Sequence, residues 1–323
     1  MLRGIACLGV CFMHFAGTVD SKSLNEIAQY GGYGVPLFFA ISGFILPYSL
    51  EKANYQNHNI HRFIARRLIR LEPAYLVSIL GVFLLSFLAQ FSPFSSSAQI
   101  EIFTRNTFYH LFYLVDICNG IWLNPAYWTL AIEFQFYLLL GFIFPILTST
   151  NNYVLLASFA ILSVSSMLFT NDSYLPYYIL MFLPGIILFW HTSKRISSNY
   201  FILLCALLAF ISFHKYGISG PICEIIAISF ILFVTKPIKP LLFLGTISYS
   251  LYLSHTIVGT DGIINFMQNF IYGEAGRTYL AILTFPIVVL FSWVFYLLVE
   301  QPSKRMSKKI SYGSSNTTKV ENR

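Results

Sequence analysis

Ten apolar runs constrain this chain more than any other feature. They lie at roughly 4–19, 33–50, 73–92, 127–147, 153–169, 175–191, 200–213, 221–235, 241–260 and 278–299. A helix needs about 20 apolar residues to cross a hydrocarbon layer about 30 Å thick. Inside that layer every backbone N–H and C=O must be paired within the protein. The expected fold class is therefore all-α and polytopic, with about ten transmembrane helices. The runs at 200–213 and 221–235 are short for a full crossing, so bilayer thinning or shelter by neighbours is expected there. Ten-residue segments of alternating polarity are absent, which argues against a membrane β-barrel. Only 10% of the 323 residues are charged, against about 25% in soluble domains. The first run carries one positive residue, Arg3, and no small-residue cleavage site follows it, so it reads as a first span and not as a signal peptide.

The net charge of +7 invites a nucleic-acid reading. Its distribution gives a topological one. With Met1 in the cytoplasm and ten spans, all but four of the 20 Lys and Arg residues fall on the inner side; Lys22, Arg105, Lys215 and Arg277 fall outside. That asymmetry places both termini in the cytoplasm of a multi-pass protein of the inner (cytoplasmic) membrane. Residues 1–302 read as one membrane domain. Residues 303–323 are rich in Lys, Ser and Asn and read as a basic, disordered cytoplasmic tail. The five Cys form no CxxC pair, and no metal-ligand spacing appears. Cys7, Cys11 and Cys205 read as small core residues. Cys118 and Cys223, in or near outer loops, are the pair placed for a disulfide.

Few polar groups interrupt the runs, and those that do have helical spacing. Arg3 and His14 are eleven positions apart, so they share a helix face about 16 Å apart along the axis. An ionisable group inside a membrane is a functional candidate by default; a core His bonded to a neighbouring helix is the plain alternative. Arg62, Arg66 and Arg70 follow i, i+4, i+8 with Arg67 beside them. Four Arg suit bidentate phosphate binding, or else a stop-transfer cluster gripping anionic lipid. Pro73 suits the start of the next span. Pro36, Ala40, Gly43 and Pro47 form a small-residue face for close helix approach. Thr129, Glu133 and Tyr137 make one polar stripe, with Glu133 about 9 Å below the outer end of its helix. At that depth it matches His14, and a carboxylate would hold the imidazole in one tautomer. Ser248, Tyr252 and His255 make a third stripe, suited to hydrogen-bonding an acceptor or to joining helices. Glu224, and Asp116 in the long outer loop 93–126, are weaker candidates. A basic inner mouth below a buried base fits a donor with an anionic handle and a thin arm, such as acyl coenzyme A or a lipid diphosphate.

These residues resemble the membrane acyltransferase-3 family. The matching pieces are Leu2-Arg3-Gly4-Ile5-Ala6 with His14; Gly34-Val35-Pro36-Leu37-Phe38-Phe39 through Ser42-Gly43-Phe44; Arg66-Arg67 with Arg70, Pro73 and Tyr75; Trp128-Thr129-Leu130 with Glu133, Phe136 and Tyr137; Ile247-Ser248-Tyr249-Ser250-Leu251-Tyr252-Leu253 with His255; and Glu300-Gln301-Pro302. They occur in family order from residue 2 to about 302. The resemblance implies an integral membrane enzyme that moves an acyl group, usually acetyl, from cytoplasmic acyl coenzyme A to a glycan hydroxyl. Acyl coenzyme A enters as donor substrate; no permanently bound cofactor, metal or nucleic acid is expected, and membrane lipid surrounds the domain. The family's arginine–histidine motif falls on Arg3 and His14, its RxxR motif on Arg67 and Arg70, and its tryptophan–glutamate span on Trp128 and Glu133. Members usually carry several residues before the leucine–arginine pair, where this sequence has Met1. Some members carry an extracytoplasmic hydrolase-like domain; a tail stands in its place here, which leaves room for a separate partner enzyme at the outer step.

The expected chemistry has Arg3, Arg66, Arg67 and Arg70 on the coenzyme phosphates. His14, oriented by Glu133, acts as general base or as a covalent acyl carrier. Trp128, Tyr252 and His255 face the acceptor, and Tyr252, Ser248 or Thr129 donates to the oxyanion. The rival class is a transporter or flippase of an anionic or lipid-linked sugar, although no inverted repeat is apparent.

Overall fold

The computed structural model describes residues 1–19, 21–91 and 107–312. Arg105 and most of the first half of the loop 93–126 lie outside the described residues, as do Lys319 and Arg323. Among the described residues there are helices and turns and no strand. Ten apolar helices coincide with the apolar runs: α1 (Leu2–Ala16), α2 (Gly34–Lys52), α3 (Ile60–Ala89), α4 (Trp128–Leu147), α5 (Asn152–Leu168), α6 (Leu175–Thr192), α7 (Ser198–Tyr216), α8 (Ser219–Phe233), α9 (Lys239–Ser254) and α10 (Glu274–Phe295). Seven helical segments among the described residues are long and apolar enough to cross a membrane; α1, α5 and α8 are apolar but shorter. The run at 200–213 is thus not short, because α7 extends to 19 residues.

Helices in lipid gain little from burying apolar surface, since lipid tails are equally apolar. They associate through close packing and hydrogen bonds instead. The contact between α2 and α6 is the most extensive in the bundle, and the small-residue face of α2 explains it. A Cβ on Gly43 would stand 2.1 Å from the Phe182 carbonyl oxygen, and one on Gly185 2.0 Å from that of Ala40. Phe182 stacks between Phe39 and Phe136, with ring centroids 4.6 and 4.1 Å away. On the other side of the molecule α1 lies along α9, where Gly4 meets the backbone at Leu241 and Gly245.

Three features differ from the sequence reading. Pro73 does not begin a span: α3 is one helix of 30 residues with Pro73 inside it. At about 45 Å it exceeds the hydrocarbon layer, so its first turns carry the arginines beyond the apolar zone. The segment from Ser303 is not a loose tail as far as it is described. Gln301–Ser307 is helical, and Tyr312 is buried against Tyr55 and Phe63. Its aromatic ring, rather than its polar neighbours, decides its place. Finally, α9 and α10 each run on into a π-helical turn, His255–Ile264 and Tyr296–Glu300. Such widened turns often occur at functional sites, and here one opens on His255.

Candidate active site

The polar stripes of α1, α4 and α9 converge with α2 into one column through the bundle. At one end Arg3 Nε donates to Ser248 Oγ at 3.2 Å, and its guanidinium lies 5.5 Å from the centre of the Phe38 ring. One level on, Glu133 Oε1 accepts from Ser42 Oγ at 2.9 Å, and the Tyr137 hydroxyl also bonds to Glu133. Next comes the pair Thr129 Oγ1 and Tyr252 OH at 2.8 Å. Thr129 has a single proton and points it at the Ala126 carbonyl, 3.0 Å away, so Tyr252 is the donor of the pair. At the far end the rings of His14 and His255 stand 5.0 Å apart, inclined at 58°.

Three neighbouring cavities follow this column. A basic cavity of about 490 Å³ is lined by Arg3, Arg70, Ser248, Glu300 and Lys304, with Ile41, Phe44 and Phe230 among its apolar walls. A waist of about 30 Å³ lies between Arg3, Ser42, Thr129, Glu133, Ser248 and Tyr252. A wide cavity of about 650 Å³ is walled by His14, Tyr33, Trp128, Tyr178, Tyr216, Glu224 and Tyr252. Arg3 and Ser248 line both the basic cavity and the waist. Val35 and Tyr252 line both the waist and the wide cavity. The basic end and the histidine end thus adjoin a narrow waist, which Tyr252 and Val35 border on the histidine side.

The expected pairing of His14 with Glu133 is not formed. Among the described residues the ion pair present is Arg195 with Glu51, on another face. The reason lies in helix length. α1 is short, so His14 stands in its last turn, level with the wide cavity. Glu133 sits one turn beyond Thr129, on the far side of the Thr129–Tyr252 layer, where Ser42 and Tyr137 hold it. The imidazole next to His14 is His255 instead. His255 is fully buried and its Nδ1 lies 2.8 Å from the Tyr252 carbonyl. A carbonyl only accepts, so Nδ1 carries the proton and Nε2 carries a lone pair. That Nε2 has no partner. His255 lines none of the three cavities, so it stands behind His14 and does not face an acceptor, contrary to its sequence reading.

The four arginines expected at one mouth separate. Arg3 and Arg70 line the basic cavity. Arg66 donates to the Ile310 carbonyl at 3.4 Å and stacks on Tyr312. Arg67 turns inward, donating to Ser49 Oγ at 3.4 Å and lying over Phe63 and Tyr137; with Glu133 it lines a separate small void. An i, i+4 stripe is wide enough to serve two surfaces when the C-terminal segment packs beside it. Lys304 takes the place of the missing pair. Assignment to the tail hid it, although its i+4 spacing from Glu300 marks a shared helix face. Glu300 is fixed by the Ser250 N–H and hydroxyl, at 3.2 and 2.6 Å.

Trp128 and Tyr252 line the wide cavity, with Trp128 inclined against Tyr178 at 5.2 Å. The hydroxyls named as oxyanion donors are all engaged: Tyr252 on Thr129, Thr129 on Ala126, and Ser248 on the Gly245 carbonyl at 3.0 Å. Tyr33, Tyr178, Tyr216 and Glu224 come from separate elements, and no spacing in the sequence joins them. In the loop before α4, burial raises the Asp116 carboxyl above the ordinary range, against the opposing donation from Trp122 Nε1 at 2.7 Å. All five cysteines are free. Among the described residues no group of three or more His, Cys, Asp or Glu is placed to hold a metal.

No solved structure is similar to this chain. Among proteins of known sequence it is similar to a putative acetyltransferase, ORF330, of Acidianus two-tailed virus, at 27% identity over 81% of this chain and 84% of that one. It is also similar to the O-acetyltransferase OatA of Staphylococcus aureus, at 28% identity over 95% of this chain. There it spans 57% of the longer protein. The family model described as an acyltransferase domain matches residues 1–297, which includes every residue of the column from Arg3 to His255. The chain therefore belongs to the acyltransferase-3 family.

Proposed function

We propose that this chain is an integral membrane O-acyltransferase that moves an acyl group, most simply acetyl, from acyl coenzyme A to a hydroxyl of a cell-surface or lipid-linked glycan. The observation that carries the reading is the line of adjoining cavities: one basic, one aromatic with His14 on its wall, and a narrow waist between. In this reading the basic cavity opens to the cytoplasm, and Arg3, Arg70 and Lys304 bind the coenzyme phosphates. The thin pantetheine arm passes the waist and brings the thioester to His14. The acceptor sugar occupies the wide cavity. Its hydroxyl oxygen attacks the thioester carbonyl while His14 removes the hydroxyl proton. The carbon–sulfur bond then breaks, and the proton passes from His14 to the departing thiolate, leaving free coenzyme A and an O-acyl sugar.

His255 supports this by its tautomer. Its Nε2 lone pair has no partner in this structure; in this reading a small turn of the neighbouring His14 ring on substrate binding lets it accept the His14 N–H and leaves the other His14 nitrogen free to take the proton. Glu133 takes no part in that transfer; it keeps Ser42 and Tyr137 in place beside the waist. Arg66 and Arg67 are structural in this reading. The enzyme sits in the cytoplasmic membrane with both termini inside, and a separate partner enzyme completes the outer step where the final acceptor lies beyond the membrane.

The test is direct. Purified protein is given labelled acetyl coenzyme A, and free coenzyme A is followed with and without glycan. Transfer releases the coenzyme and labels the sugar. A carrier instead moves sugar and leaves the thioester whole. Replacing His14→Ala should lower turnover by about 10²–10⁴-fold, the usual share of a general base, with the amount of folded protein unchanged. Turnover at the wild-type rate would remove His14 from the chemistry.

A further inference from the structure

The wide cavity has a one-sided charge. Its lining among the described residues contains Glu224 and no Lys or Arg. The cation next in sequence to its wall, Lys215, is directed elsewhere: its ammonium bonds to the Ser166 carbonyl and hydroxyl and rests 4.2 Å from the centre of the Tyr177 ring. Glu224 is buried in α8, and one carboxylate oxygen accepts from the Ser212 hydroxyl. An ionised carboxylate has about four lone-pair positions and no donor. Ser212 fills one of them, so the group still accepts from a hydroxyl or an amide N–H. Around it stand the faces of Tyr33, Trp128, Tyr178 and Tyr216. At about 650 Å³ the space lies within the usual range for small-molecule sites.

We propose that Glu224 sets acceptor specificity, by accepting a hydrogen bond from a neutral sugar seated on the aromatic walls and by repelling sugars that carry a carboxylate. The inference rests on the acyl-transfer reading for the identity of the cavity as the acceptor site. Its physical basis is separate from the transfer chemistry. Aromatic walls hold a sugar ring of any kind. In its ionised form Glu224 repels a second carboxylate, and among the described residues no Lys or Arg lines the cavity to relieve the pair. Discrimination therefore comes from rejection of acidic sugars as much as from the bond to neutral ones.

Equilibrium dialysis of the purified protein in mildly alkaline buffer, which keeps Glu224 ionised, against a matched pair tests this without the donor. The pair is cellotriose and the corresponding triuronate, which differ only by carboxylates in place of the primary alcohols. Cellotriose should bind at least about tenfold tighter. Glu224→Gln, which keeps an oxygen for Ser212 but loses the charge, should shrink that ratio to within about threefold. Equal or tighter binding of the triuronate by the wild type overturns the proposal, as does binding of neither sugar. A ratio unchanged in Glu224→Gln also overturns it. Should that variant fail to fold, the wild-type ratio alone decides. A separate arm adds labelled acetyl coenzyme A. Selective binding of the neutral sugar with no thioester cleavage sinks the acyl-transfer reading and leaves the charge selection standing. Transfer to both sugars at equal efficiency sinks the selection and leaves acyl transfer standing.

Discussion

His255 is buried beside His14, and in the proposed reading its contribution comes through what it bonds to. The Tyr252 carbonyl at 2.8 Å fixes its tautomer, and its unpartnered Nε2 stands in the ring that neighbours His14 at 5.0 Å. Removing it should spare donor binding and slow the chemical step. We expect His255→Phe to lower kcat roughly tenfold with the donor KM within about twofold of wild type. His255→Gln, whose amide oxygen also accepts an N–H, should recover part of the loss. A rise in donor KM with kcat unchanged would place His255 in a purely structural role. At this scale the sequence is informative about which residues matter and much less so about which pairs they form. Arg3, His14 and Tyr252 fall on one column, each on the helix stripe that its spacing marks. The partner of His14 was misassigned because depth along two helices does not give the face each turns to a third. Tyr252 lies between His14 and Glu133, and nothing in either stripe alone reveals it.

At the scale of helices, packing follows the small residues. Gly43 and Gly185 bring the α2 and α6 backbones so close that a Cβ would overlap the opposing carbonyl oxygens. Neither helix can yield without disturbing the stack of Phe39, Phe182 and Phe136. Gly43→Ala should destabilise by about 1–3 kcal/mol, as overpacking commonly does, seen as a lower yield of monodisperse protein and earlier thermal aggregation. Gly81, in α3, is the control. Its nearest neighbour to an added Cβ is Ile257 at 3.9 Å, an ordinary contact, so Gly81→Ala should be neutral or gain up to about 1 kcal/mol in helix propensity. Equal damage from both substitutions would refute the packing argument. The small-residue face was legible because its spacing repeats the helix period. Pro73 misled because it favours a first turn in water, whereas membrane helices tolerate proline internally. The helix Gln301–Ser307 was unreadable as structure because its composition is that of a solvated tail.

Over the whole molecule, the two ends of the column differ in charge and in size, and this gives a directional prediction. Arg3, Arg70 and Lys304 converge on the basic cavity, while Arg66, one turn from Arg70, is held by Ile310 and Tyr312. If the basic cavity binds the donor, Arg70→Gln and Lys304→Gln should each raise the donor KM several-fold, since each removes a charge-assisted contact of about 1.5–3 kcal/mol at most. Arg66→Gln should leave KM near wild type. Sealed vesicles then read the direction. In vesicles with the cytoplasmic face outward, acetyl coenzyme A added outside should be consumed only when acceptor glycan is enclosed within. In vesicles of the opposite sidedness the same additions should give no turnover until the membrane is permeabilised. The waist of about 30 Å³ is too small for a nucleotide or a sugar ring, so in the proposed reading donor and acceptor stay on opposite sides of it and the thin arm enters only as its walls part. Turnover with both substrates on one face of a sealed membrane would show that the waist does not separate them. A uniform KM increase in all three variants would return the arginines to a general role in membrane topology.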